Sequence, residues 1–166
     1  MLKWIWLAIV VVILDQITKY VASTSLEMYQ PIAVMPMFNW TLMHNTGAAF
    51  SFLADAGGWQ RWFFATIAVV VSVVIVLWLK RLEQHEKWHA TALALILGGA
   101  LGNVIDRISL GYVVDFIQVY YQQWYWPAFN IADSAIFIGV AMIIIDSVRE
   151  YRDEKKCTEK QVKKNG

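Results

Sequence analysis

Four acidic side chains in this 166-residue chain lie within or beside long apolar runs: Asp15 in VVVILDQITK, Asp106 in GNVIDR, Asp115 in VVDFI and Asp133 in FNIADS. Burying a carboxylate at membrane depth costs several kcal/mol unless it pairs or meets water, so each needs a reason. Asp115 has no basic neighbour, and its period-two flanks predict an extended segment that points it away from Val114 and Phe116. Asp133 stands three residues after Asn130, the pattern of an N-cap followed by an acid in the first helical turn. Taken alone, Asp133 reads as a capping carboxylate that answers the helix dipole, worth about 0.3 to 1 kcal/mol. Taken together, the two acids close the ends of a single connection and lie at the same approximate depth, so they can meet. Two carboxylates a few ångströms apart do not both ionise cheaply, and such a pair holds one proton near neutrality. The ionised member activates a water while the protonated one serves the carbonyl oxygen or leaving nitrogen, which points to amide hydrolysis.

The remaining polar residues read as support. Asp15 shares a helical face with Lys19 four residues on, and two explanations stand: a local pair with Lys19 reaching outward, or a brace for a polar centre. Asn103 and Asp106 share a face, and the adjacent Arg107 is the expected partner of Asp106, making that acid a scaffold. Asp146 and Arg149 read as an interfacial pair. No H-E-x-x-H or G-x-S-x-G motif offers another catalytic set. His85 and His89 fall in or beside a short loop, and His44 stands alone. Cys157 is the single cysteine, so neither a disulfide framework nor a metal-type spacing exists.

Positioning these residues is the work of the apolar runs. With 58% hydrophobic residues and only 16% charged, the composition excludes an ordinary soluble domain. Segments at about 4–22, 59–79, 88–106 and 132–148 are long enough to cross a hydrocarbon core roughly 30 Å thick as helices. The first begins like a secretory signal, with Lys3 before WIWLAIVVVIL, but no small-residue cleavage site follows, so it is read as a retained span. Placing Lys3, Lys80, Arg81, Lys87, Arg149, Arg152 and the tail lysines together collects 11 of the 14 Lys and Arg residues on one side, which the positive-inside rule makes cytoplasmic. Both termini then lie inside, and the connections 23–58 and 107–131 face outward. Trp4, Trp59, Trp62, Trp78, Trp88, Trp124 and Trp126 fall near span ends, as interfacial anchors do. The outer connections alternate in places with period two, predicting short strands and one small sheet, with Pro31, Pro36 and Gly47 as turn or break points. Gly98 and Gly102 form a G-x-x-x-G that predicts close helix packing. Residues 1–151 form the membrane domain, and 152–166 a charged tail expected to be disordered. No basic patch supports nucleic-acid binding.

The blocks DQITK (15–19), HNTGAAFSFL (44–53), GGALGNVIDR (98–107), VVDFI (113–117) and FNIADS (129–134), in this order, resemble the lipoprotein signal peptidase (signal peptidase II) family over residues 1–150. The resemblance implies an all-α polytopic membrane protein of four transmembrane helices with a small β-like periplasmic platform, in the bacterial inner membrane. It implies an aspartic endopeptidase that cuts prolipoproteins before a diacylglyceryl-modified cysteine, without metal or organic cofactor, in contact with membrane lipid and inhibited by the cyclic peptide globomycin. Its catalytic pair would be Asp115 and Asp133. Asp15, Asn45, Gly47, Asn103, Asp106, Arg107 and Asn130 would support the site or hold substrate, with the signal peptide's apolar run lying along the spans where Gly98 and Gly102 leave room. Two other functions compete: a proton or ion pathway built on the same acids, and a non-enzymatic assembly factor that binds a partner helix through its glycine face.

Overall fold

The structure, a computed structural model, describes residues 1–47 and 57–165. A short 3-10 turn at Leu2–Trp4 leads into α1 (Ile5–Ser25), followed by β1 (Ile32–Met35), β2 (Phe38–Asn45), α2 (Trp59–Arg81), α3 (Lys87–Ser109), β3 (Val113–Tyr121), β4 (Trp124–Tyr125) and α4 (Ile131–Asn165). Four helical stretches are long and apolar enough to cross a membrane: Leu2–Ser25, Trp59–Arg81, Lys87–Ser109 and Ile131–Asp153. At 1.5 Å per residue, a 23-residue stretch spans about 35 Å, enough for the hydrocarbon core with some tilt.

The hub of the bundle is α3, which packs against α1, α2 and α4. Lipid tails are as apolar as leucine, so helices associate through close van der Waals fit, and small residues permit it. A Cβ on Gly98 would fall 2.7 Å from the Val11 Cβ and 2.8 Å from the Ala8 carbonyl oxygen. Gly99 lies against the backbone of Ala132, and Gly139 of α4 against that of Ala92. The glycine face is thus filled by the protein's own α1 and α4, which leaves no room there for a signal peptide or a partner helix. Below it, Ala8, Ile75, Leu79, Ala90, Leu93 and Leu97 make the dry core.

The two long connections supply the strands, which form one antiparallel sheet in the order β1-β2-β3-β4. The sheet joins the end of α1 to the start of α2 and the end of α3 to the start of α4. The predicted small sheet is therefore present, and Pro36 does sit in the turn between β1 and β2. Between β2 and β3 the pairing shifts by one residue: Trp40 faces Ile117, but Met43 faces Asp115 and Asn45 faces Val113. Side chains alternate faces along a strand, so a one-residue slip moves everything beyond it to the other face. That slip places Asn45 on the face that carries Asp115.

The backbone of α4 runs on to Asn165, through Glu, Lys, Arg and Gln residues that are strong helix formers. One expected pairing needs correction. Asp146 does not pair with Arg149; it lies 3.4 Å from His89 Nδ1, while the Arg149 guanidinium covers the Trp88 ring at 5.4 Å. The segment AAFSFL of the HNTGAAFSFL block lies outside the described residues.

Candidate active site

Asp115 is delivered by β3 and Asp133 by the first turn of α4. After β4 the chain pairs back on β3, with Phe129 N donating to the Ile117 carbonyl at 3.0 Å and Ile117 N to that of Phe129 at 2.9 Å. This pairing presses Asn130 against Asp115. Asn130 then caps α4 reciprocally: the Asp133 amide donates to Asn130 Oδ1 at 3.0 Å, and the Asn130 amide to Asp133 Oδ2 at 3.3 Å. The capping role expected of Asp133 is real, and it is the same geometry that aims the carboxylate.

Four amide donors hold the two acids. Asn130 Nδ2 donates to Asp115 Oδ1 at 2.7 Å and Asn45 Nδ2 to Asp115 Oδ2 at 3.1 Å. Asn103 Nδ2 donates to Asp133 Oδ1 at 2.7 Å, and the Asn130 backbone serves its second oxygen. Asn130 is fully buried and bridges the pair. Burial first, and then the charge of Asp133, lift the Asp115 carboxyl to about 7, against the opposing pull of the Asn45 and Asn130 donors and of Lys19.

Beneath the pair lies a buried ionic centre. Lys19 Nζ contacts Asp15 Oδ2 at 2.8 Å, Asp106 Oδ2 at 3.0 Å and Asn103 Oδ1 at 2.9 Å. Asp15 Oδ1 accepts the Ala132 amide at 2.9 Å, and Asp106 Oδ2 accepts the Val114 amide at 3.0 Å. Gln16 Nε2 adds a bond to Asp106 Oδ1 at 2.8 Å. Lys19 therefore does not reach outward, and Asp106 is paired with it rather than with Arg107. The reason is angular: neighbouring residues on a helix point about 100° apart, so Asp106 and Arg107 do not share a face. Arg107 turns instead to the Gly47 carbonyl at 3.0 Å and the Asn103 carbonyl at 3.3 Å, tying the end of β2 to α3.

A cavity of about 740 Å³ opens onto the pair. Asn45, Asn103, Arg107, Asp115, Asp133 and Ser134 form the polar part of its wall. The rest is apolar, and Phe137, Ile138 and Val140 on the same wall are 76%, 51% and 42% exposed on a helix of membrane-spanning character. Among the described residues, no group of three His, Cys, Asp or Glu side chains could hold a metal ion. His44 is not isolated as expected; its ring stacks on Tyr112 with centroids 3.9 Å apart, and burial lowers its pKa.

Asp15, Asn45, Asn103, Asp106, Arg107, Asp115, Asn130 and Asp133 thus converge here, and Gly47 contributes a backbone carbonyl rather than a side chain. Lys19 and Gln16 were not expected as members. A sufficient signal for Lys19 was a charge tally: two acids at membrane depth need a cation, and Lys19 is the one that shares a helical face with either of them.

Residues 7–149 match the family model of signal peptidase (SPase) II. Proteins named lipoprotein signal peptidase from Pseudomonas paraeruginosa and Pseudomonas fluorescens are 58% and 60% identical over 153 residues, spanning 91% of this chain and 90% of each relative. One from Ectopseudomonas mendocina is 54% identical over 160 residues, 95% of both chains. Among solved structures, a bacterial membrane enzyme determined by the in meso method at 2.3 Å resolution is 36% identical, with a TM-score of 0.82 over 92% of both chains. A second, at 1.9 Å resolution, is 37% identical with a TM-score of 0.74, covering 88% of this chain and 92% of its own.

Proposed function

The chain belongs to the signal peptidase II family, and from that premise we propose that it removes signal peptides from prolipoproteins as an aspartic endopeptidase, cutting before a diacylglyceryl-modified cysteine. The observation that carries this reading is the convergence of Asp115 and Asp133, 18 positions apart in the chain, on one cavity through a shared, buried Asn130.

In the proposed cycle Asp115 begins protonated, in keeping with its raised pKa, and Asp133 begins as the carboxylate. Asp133 takes a proton from water as the oxygen attacks the scissile carbonyl, while Asp115 protonates the carbonyl oxygen. As the tetrahedral intermediate collapses, Asp133 passes its proton to the departing cysteine nitrogen and Asp115 recovers its own. The carbonyl re-forms and the C–N bond breaks, which returns the pair to its starting state. Asn45, Asn103 and Asn130 keep both carboxylates aimed throughout; preorganised donors of this kind need no rearrangement at the moment of reaction.

The apolar wall along α4 suits a lipidated substrate. Acyl chains remain in hydrocarbon beside Phe137 and Val140 while the peptide bond reaches the polar wall. Globomycin, a cyclic peptide, would compete for the same cavity. We place the pair near the periplasmic face of the bacterial inner membrane with both termini cytoplasmic, a reading that rests on the clustering of Lys80, Arg81, Lys87 and Arg149 at the opposite end of the helices. An ion pathway is poorly served by this architecture, because the acids gather at one end and the other end is the dry Ile75, Leu79, Leu93 and Leu97 core.

The test is cleavage of a diacylglyceryl-modified precursor by purified protein. Asp115→Asn and Asp133→Asn each lose cleavage by at least about 10³-fold while retaining their folded elution and thermal transition. Cleavage retained by either folded variant would reject the assigned dyad.

A further inference from the structure

The ionic centre beneath the dyad has a consequence beyond scaffolding. Asn103 has one oxygen and one nitrogen to offer, and both are committed: Oδ1 accepts from Lys19 Nζ at 2.9 Å and from Asn130 Nδ2 at 3.3 Å, and Nδ2 donates to Asp133 Oδ1 at 2.7 Å. An amide rotated by 180° would present its oxygen to the Asp133 carboxylate, acceptor against acceptor. Lys19 forbids that rotation, because its ammonium has hydrogens and no lone pair to offer. Lys19 is itself 3% exposed, and it is not among the described residues lining the cavity.

We infer that Lys19 is a positioning residue for hydrolysis, which fixes the edge of the Asn103 amide that meets Asp133. The inference rests on the dyad reading above. Lys19 is anchored by Asp15 and Asp106, and these same acids hold the Ala132 and Val114 amides, one residue before Asp133 and one before Asp115. One ammonium therefore sets the donor on one carboxylate and the backbone beneath both.

The test uses the full chain in detergent or lipid with the lipidated precursor. Lys19→Met lowers kcat about 100-fold and leaves KM within about threefold, since no substrate contact is lost. The acid limb of its pH profile moves to higher pH, because the Asp133 carboxylate no longer has an assured donor. The decisive arm is a double-mutant cycle: in an Asn103→Ala background, adding Lys19→Met costs less than about threefold. Losses that multiply in full, a change confined to KM, or an unmoved pH profile would each overturn the inference. Removing Lys19 alone leaves two buried acids without their cation, so Lys19→Met/Asp15→Asn, which keeps the net charge, is measured alongside and shows the same kcat loss. Failure of both to fold would make Lys19 a scaffold residue only and would likewise overturn it. Asp115→Asn and Asp133→Asn serve as controls: cleavage surviving there sinks the dyad, whereas a dead dyad with an additive Lys19 sinks this inference alone.

Discussion

Asp115 is the residue at which burial and chemistry meet most directly. Its pKa of about 7 lies above the ordinary 3.8, so between those two pH values the folded protein binds a proton that the unfolded chain has released. The sign follows: stability falls as pH rises through that window and is level on either side, with a total of a few kcal/mol from this group. Asparagine at 115 does not titrate, so the difference in unfolding free energy between the parent and Asp115→Asn should decline from pH 4 to pH 7 and flatten above. A difference that stays constant would mean Asp115 is ionised throughout. In the proposed cycle the same proton should give cleavage an alkaline limb near pH 7, as the acid assigned to the carbonyl oxygen is lost. The convergence of Asp115 and Asp133 was legible in the sequence because Asp115 lacked a basic neighbour, Asp133 followed the Asn130 cap, and both bounded one connection. The Asp15–Lys19 pair was legible too, at its four-residue spacing, but the partner of Asp106 was not, because adjacency along the chain favoured Arg107, and the cross-helix approach of Lys19 to Asp106 over 87 positions is set by packing that a single helix pattern does not contain.

At the scale of elements, the geometry of the proposed site depends on backbones that touch. Gly102 of α3 is the clearest case: a Cβ there would stand 2.5 Å from Asp15 Oδ2, inside any permissible contact. Gly102→Ala should therefore push the Asp15 carboxylate off Lys19 and the Ala132 amide. An overpacking cost of about 1 to 3 kcal/mol is expected, with a fall in kcat of at least tenfold. Gly98→Ala meets Val11 and the Ala8 backbone instead, away from the polar centre, and serves as the comparison: similar loss of thermal stability with a smaller loss of kcat. Equal effects on kcat would show that the two glycines matter only for packing. The G-x-x-x-G was visible in the sequence, as were the four spans. The register slip between Trp40 and Met43 was not, since strand alternation predicts faces only while the pairing stays regular, and the slip is what brings Asn45 to Asp115.

Across the whole molecule, charge divides the protein into two unlike ends. Lys80, Arg81, Lys87 and Arg149 lie at the end where α2 stops and α3 starts, and the sheet lies at the other, edged by Trp124 and Trp126 at 81% and 60% exposure. Indole rings favour the headgroup layer at either face and mark only the boundary, so the proposed outward orientation of the sheet rests on the basic cluster at the opposite end. With Cys157 changed to Ser, a cysteine at Trp124 should react with a membrane-impermeant maleimide in intact spheroplasts. A cysteine at the exposed Glu83 should react only after lysis. Charge reversal of the short α2–α3 connection, Lys80→Glu/Arg81→Glu/Lys87→Glu, should weaken this preference and leave a fraction of molecules with the opposite labelling. Because the dyad is carried on the sheet side, that inverted fraction would present Asp115 and Asp133 to the cytoplasm, where precursors have not yet been exported. Cleavage in cells should fall in proportion to it while the purified variant remains active. Labelling of Glu83→Cys in intact spheroplasts, without the charge reversal, would reverse the topology and place the proposed site on the wrong side of the membrane for its substrate.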